Sequence, residues 1–94
     1  MLTIDVIKIF VDVLEKTPGI KQILDENNSE KLAYPLSAEL IDNRWNFTVS
    51  IVILKNTNCK DLLLSINKSL DYVLKQKQQK MGKLNIFIEG IANE

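Results

Sequence analysis

The chain has no histidine and one cysteine in 94 residues. Without histidine the commonest general base at neutral pH is missing, and zinc sites of the usual ligand types are nearly excluded. Cys59, being alone, forms no intrachain disulfide, and its position near a predicted helix start reads as a small residue rather than an activated thiol. There are three glycines and two prolines. Pro18-Gly19 is no phosphate loop, because it lacks further glycines and a preceding strand. No apolar run is long enough to span a bilayer, and Asp5, Lys8 and Asp12 interrupt the first apolar stretch, which spoils both a signal peptide and a membrane anchor. A cytoplasmic protein is expected.

Net charge is also absent, with twelve basic and twelve acidic side chains. The balance argues neither for a nucleic-acid binder nor for an acidic tail. The halves differ: residues 1–50 hold five basic and eight acidic groups, and residues 51–94 hold seven and four. This length makes one domain, residues 1–94, with a core that buries roughly 60 to 65% of the unfolded chain's surface.

What is present centres on Trp45 to Lys55. Trp45, Phe47, Val49, Ile51 and Ile53 alternate with Asn46, Thr48 and Ser50, the period of a half-buried strand. From Ile51 to Leu54 the run is continuously apolar, so the far half of this strand is expected to be covered on both faces. Before it, Thr3 can cap a helix with Asp5 in its first turn, and Ile7, Phe10, Val11 and Leu14, widened by Val6 and Val13, form its buried stripe. Thr17-Pro18-Gly19 ends that helix. Ile20 to Leu24 reads equally as a last helical turn or a short edge segment, and Asp25 to Tyr34 reads as an exposed loop. Leu36 to Ile41 is a second strand, joined to the central one by a hairpin turn in which Asn43 suits the left-handed conformation.

Asn58 reads as the cap of a second helix, with Asp61 three residues on. Leu63, Ile66, Leu70 and Val73 make its stripe, beside Leu62, Tyr72 and Leu74, and the helix is expected to run to Lys80 and stop at Gly82. At about 33 Å it crosses a sheet whose central strand is about 36 Å long. Leu84, Ile86 and Ile88 alternate with Asn85, Phe87 and Glu89 in a closing strand that runs in the direction of the central one because a single helix carries the chain back; beside Leu36 to Ile41 it would make an antiparallel sheet, and beside the central strand a mixed one. The expected fold is α+β, a two-layer sandwich of α-β-β-α-β order with a three-stranded sheet and both helices on one face. Its core would hold Phe10, Leu14, Val49, Ile51, Ile53, Leu63, Ile66, Leu70, Ile86 and Ile88.

No residues assemble an acid/base pair: Asp5 with Asp12, and Glu26 with Glu30, lie where solvated charge is the default. No catalytic, cofactor-binding or metal-binding residue is identified, and no small-molecule substrate is implied. Two surface features stand out. Lys75, Lys77, Lys80 and Lys83 form a basic run whose plain reading is a solvated helix end, suited to the negative pole of the helix dipole, and whose other reading is contact with an anionic partner. Val52, Leu54 and Phe87 point away from the helices, which makes them the candidate contact of a homo-oligomer formed through the sheet face or edge that the helices leave uncovered.

Three motifs resemble the bacterial alkaline shock protein family, the general stress family of low-GC Gram-positive bacteria. Leu2-Thr3 opening a helix resembles the family's start. Thr17-Pro18-Gly19-Ile20 is similar to its V-P-G-V turn, and Leu84-Asn85-Ile86-Phe87-Ile88-Glu89-Gly90-Ile91 resembles its closing strand V-x-V-x-V-x-G-I. Thr17 departs from the apolar residue usual before the proline, Asn56-Thr57-Asn58 lacks the usual Tyr-Gly, and the basic tail after the last strand is absent. The resemblance implies a non-enzymatic cytoplasmic protein linked to cell-envelope stress and lipid metabolism, one that self-associates and reaches the inner face of the membrane through a membrane-anchored protein partner. The alternative is a small K-homology-like RNA-binding module using the Lys75 to Lys83 helix end. Against that stands the spacing of the glycines, which cannot form the G-x-x-G loop between two helices.

Overall fold

A computed structural model describes residues 1–24 and 35–93. The elements are α1 (Thr3–Lys16), β1 (Ile20–Leu24), β2 (Ser37–Ile41), β3 (Arg44–Leu54), α2 (Cys59–Gln76) and β4 (Met81–Ala92). The protein is α+β, with four strands rather than three and the order α-β-β-β-α-β. The added strand is Ile20–Leu24, whose five residues carry no clear period of their own and are extended because they pair with β3 from Ile53 back to Ser50. The loop expected from Asp25 to Tyr34 lies outside the described residues.

β3 organises the sheet. β4 runs parallel to it from Trp45 to Leu54 and takes up one edge. β1 and β2, both antiparallel to β3, therefore share the other edge, β1 against Ser50–Ile53 and β2 against Arg44–Thr48. The sheet is mixed, and the closing strand sits beside the central one. The β2–β3 turn has positive φ at both Asp42 (50°) and Asn43 (65°). With Ile41 paired to Arg44, this is a two-residue hairpin of the primed type that matches strand twist.

Both helices lie on the face of Trp45, Phe47, Val49, Ile51 and Ile53, which are buried against Val6, Phe10, Val13 and Leu14 of α1 and Leu62, Ile66, Leu70 and Leu74 of α2. At the centre the Phe10 and Phe47 rings meet with centroids 4.8 Å apart, tilted by 49°. Two expected core residues are not there: Leu63 is 38% and Ile88 39% exposed. Ile86 is only partly buried. The two isoleucines lie on the outermost strand, and for Leu63 the reason is the path of the buried row around α2. Leu62, Ile66, Leu70 and Leu74 are spaced by four, and such a row winds about 40° around the helix at each step. Leu63 shares the bearing of Leu70 to within about 20°, but lies two turns earlier, where the buried side has a different bearing.

Caps differ from expectation at two ends and agree at a third. α1 begins at Thr3 with Leu2 as its cap, and the Leu2 carbonyl accepts from the Asp5 and Val6 N–H groups. At α2 the expected cap is present: Asn58 Oδ1 accepts from the Asp61 N–H at 3.2 Å. The other end of α2 stops before Lys80. The Gln78 N–H donates to the Lys75 carbonyl and the Gln79 N–H to the Leu74 carbonyl, the paired bonds of a Schellman motif with Gln78 in its left-handed position at φ 59°. Glycine suits that position better than any residue with a Cβ. Gln78→Gly is thus expected to stabilise the protein by about 0.5–1 kcal/mol, read as a raised urea midpoint at unchanged slope; a lowered midpoint would contradict the cap geometry.

The α1–β1 and β3–α2 turns are tied together. Gly19, at φ 99°, accepts on its carbonyl from the Leu54 N–H at 2.9 Å and the Thr57 hydroxyl at 3.4 Å. A Cβ at Gly19 would meet Thr57 Cγ2 at 2.8 Å, so the glycine is required by conformation and by space. Just before it, Thr17 is buried, and its hydroxyl donates to the Val13 carbonyl at 2.7 Å. A polar residue is accommodated there because its one donor is satisfied within the helix.

Candidate functional site

β4 is twelve residues long and pairs only with β3 among the described strands. No described strand pairs with its outer edge, the side on which a strand can accept a further neighbour. Two register shifts interrupt the pairing with β3, one between the Trp45–Met81 and Phe47–Leu84 pairs and one between Ile51–Ile88 and Val52–Gly90. Between them Leu84 to Ile88 pair in unbroken register with Phe47 to Ile51.

The first shift is built by side chains. Asn46 Oδ1 accepts from the Lys83 N–H at 2.7 Å, replacing the ladder bond that the extra residue displaces. A Cβ at Gly82 would collide with that same Asn46 oxygen and lie 3.2 Å from Arg44 Cβ. Gly82 thus serves close approach inside a strand, not the end of a helix. Nearby, the Trp45 N–H donates to the Lys80 carbonyl at 2.9 Å, and the Trp45 indole N–H donates to Gln79 Oε1 at 2.9 Å. These bonds fix the entry of β4.

Apolar groups stand along this edge. Ile88 and, at 69% exposure, Ile91 lie on β4, while Leu63 and Leu64 of α2 are exposed beside it. A groove of about 290 Å³ between helix and strand is lined by Leu63, Leu64, Asn67, Gly82 and Leu84. The two charged side chains of β4, Lys83 and Glu89, are both exposed.

The residues singled out from sequence fall in three places. Val52, Leu54 and Phe87 are on the face opposite the helices and are all half-buried, and Ser50 on that face is fully buried. Lys75, Lys77, Lys80 and Lys83 are all exposed and run from the last turn of α2 into β4; Lys75 pairs with Asp71 at 3.1 Å. Cys59 is exposed at the first residue of α2. Asp12 pairs with Lys16 at 3.0 Å, and Glu26 and Glu30 lie outside the described residues. Among the described residues no group of three or more Cys, Asp or Glu side chains could hold a metal ion, and no helix is long and apolar enough to cross a membrane.

Sequence reasoning allowed an uncovered sheet face or edge as the contact but did not single out the edge of β4, since it placed Leu63 and Ile88 in the core. The signal was there in Lys83 and Glu89, which bracket the strand with opposite charge. Comparison with family models, curated proteins and solved structures finds no match.

Proposed function

We propose that this chain is a non-enzymatic, self-associating cytoplasmic protein of the alkaline shock and general stress type, working through protein–protein contacts at the inner face of the cell envelope under stress that involves lipid metabolism. The motifs that carry the likeness are Leu2-Thr3 at the start of the first helix, the Thr17 to Ile20 turn and the Leu84 to Ile91 strand. The observation that carries self-association is the outer edge of β4, which no described strand pairs, with Ile88, Ile91, Leu63 and Leu64 exposed along it. An unpaired strand edge flanked by apolar side chains loses free energy to water that a protein neighbour would recover. This edge supports the reading better than the Val52, Leu54 and Phe87 face, which is half-buried already. A membrane-anchored protein is the expected further partner.

Light scattering across a concentration series tests this. The expected mass rises above the 10.8 kDa of one chain as concentration increases. A single-chain mass at every concentration would overturn the proposal.

The second reading, an RNA-binding module, draws on the exposure of all four lysines, of which Lys75 alone has a carboxylate partner among the described residues. It predicts RNA binding that weakens steeply with salt and is lost on charge reversal at Lys75, Lys77 and Lys80. Gly82 speaks against it, being committed to packing on Asn46 and Arg44.

A further inference from the structure

We infer that β4 pairs antiparallel with β4 of a second copy about a two-fold axis at Ile86, joining two sheets into one. The inference rests on the self-association reading and names its contact. In an antiparallel pair centred on Ile86, each residue before Ile86 faces the partner's residue at the same distance after it. Leu84 then faces the partner's Ile88, Lys83 the partner's Glu89, Gly82 the partner's Gly90 and Met81 the partner's Ile91. These four pairs match in character, while Asn85 faces the partner's Phe87 on the face away from the helices, and the symmetry makes each pair occur twice. The two charges form ion pairs of opposite sign only in this register: a slip of two residues one way sets Lys83 against Phe87 and Glu89 against Met81, and the other way sets Lys83 against Ile91 and Glu89 against Asn85.

The backbone has the same symmetry. The two register shifts of β4 fall at Gly82–Lys83 and at Glu89, on either side of Ile86, so in the pair each irregularity meets its counterpart and Leu84 to Ile88 form the regular centre. Opposite residues of antiparallel strands share a face. The partner's Ile88 therefore arrives beside Leu84, on the side of the groove lined by Leu63 and Leu64. Exposed apolar groups of one copy thus lie against those of the other, and an isologous contact of this kind closes as a dimer.

Charge exchange tests the register. Lys83→Glu sets like charges opposite each other at both symmetric positions, and so does Glu89→Lys; each is expected to weaken dimerisation roughly tenfold or more. Lys83→Glu/Glu89→Lys restores both attractive pairs, and so does an equimolar mixture of the two single variants, so both are expected to return to the unsubstituted dimer constant by sedimentation equilibrium. Both positions of charge are exposed in one chain, and circular dichroism verifies that each variant is folded. A dimer indifferent to the single changes, or one weakened by them and not rescued by exchange or mixing, overturns the two-fold at Ile86 while leaving self-association standing. A monomer at every concentration overturns both, and would mean that Lys83, Glu89 and the bulges guard the edge against pairing.

Discussion

Phe47→Ala is expected to remove about 3–5 kcal/mol of stability, from a total of roughly 5–14 kcal/mol for a domain of this size. Phe47 is fully buried at the middle of the N-terminal half of β3. It is paired with Ala38 of β2 on one side and Leu84 of β4 on the other, and its ring packs on Phe10 of α1. Three elements thus lose a common neighbour, and strands fixed by backbone hydrogen bonds cannot close over the space. The cost is therefore transfer free energy plus cavity. Phe47→Leu, which keeps most of the volume, should cost less than half as much. Urea denaturation followed by tryptophan fluorescence measures both, Trp45 being two residues away and buried. A loss below about 1 kcal/mol for the alanine variant would show that the two aromatic rings do not meet at the centre of the core.

Leu70→Ala and Leu63→Ala are expected to differ sharply although they lie on nearly the same bearing of one helix. Leu70 is fully buried, and its truncation should cost about 2–5 kcal/mol. Leu63 is 38% exposed beside the β4 edge, and its truncation should cost under about 1 kcal/mol in the isolated chain. Equal losses would mean that the helix buries a straight stripe rather than the oblique row of Leu62, Ile66, Leu70 and Leu74. If β4 pairs with a second copy, Leu63→Ala should weaken dimerisation while leaving the folding of one chain almost unchanged, which separates the surface role of Leu63 from the core role of Leu70.

Much of this is legible in the chain because it depends on neighbours close in sequence. The alternation from Trp45 to Ile53 is a period of two over a long stretch, and the residues it selects are all buried. The spacing in α1 and the cap at Asn58 are equally local, as is the helix-ending Thr17-Pro18-Gly19 turn. Phe10, Leu14, Val49, Ile51, Ile53, Ile66 and Leu70 follow directly from these patterns and form the core. The parallel direction of β4 also follows locally, since one helix spans the sheet once.

Four features were decided by the tertiary structure, each because its cause lies far along the chain. Ile20–Leu24 is a strand through its pairing with β3, some thirty positions away. Gly82 resembled a helix stop, yet Asn46 and Arg44 are what require it, while the real stop falls on Gln78, whose side chain gives no such sign. Leu63 has the bearing of a core residue and is exposed because α2 buries an oblique row, a matter of how two elements cross. Ile88 lies on the buried face of the sheet but on its outermost strand. Sequence periodicity thus determined which residues face the core side, because a strand or helix repeats over a few residues; coverage was decided only in three dimensions, because it depends on where the neighbouring element ends.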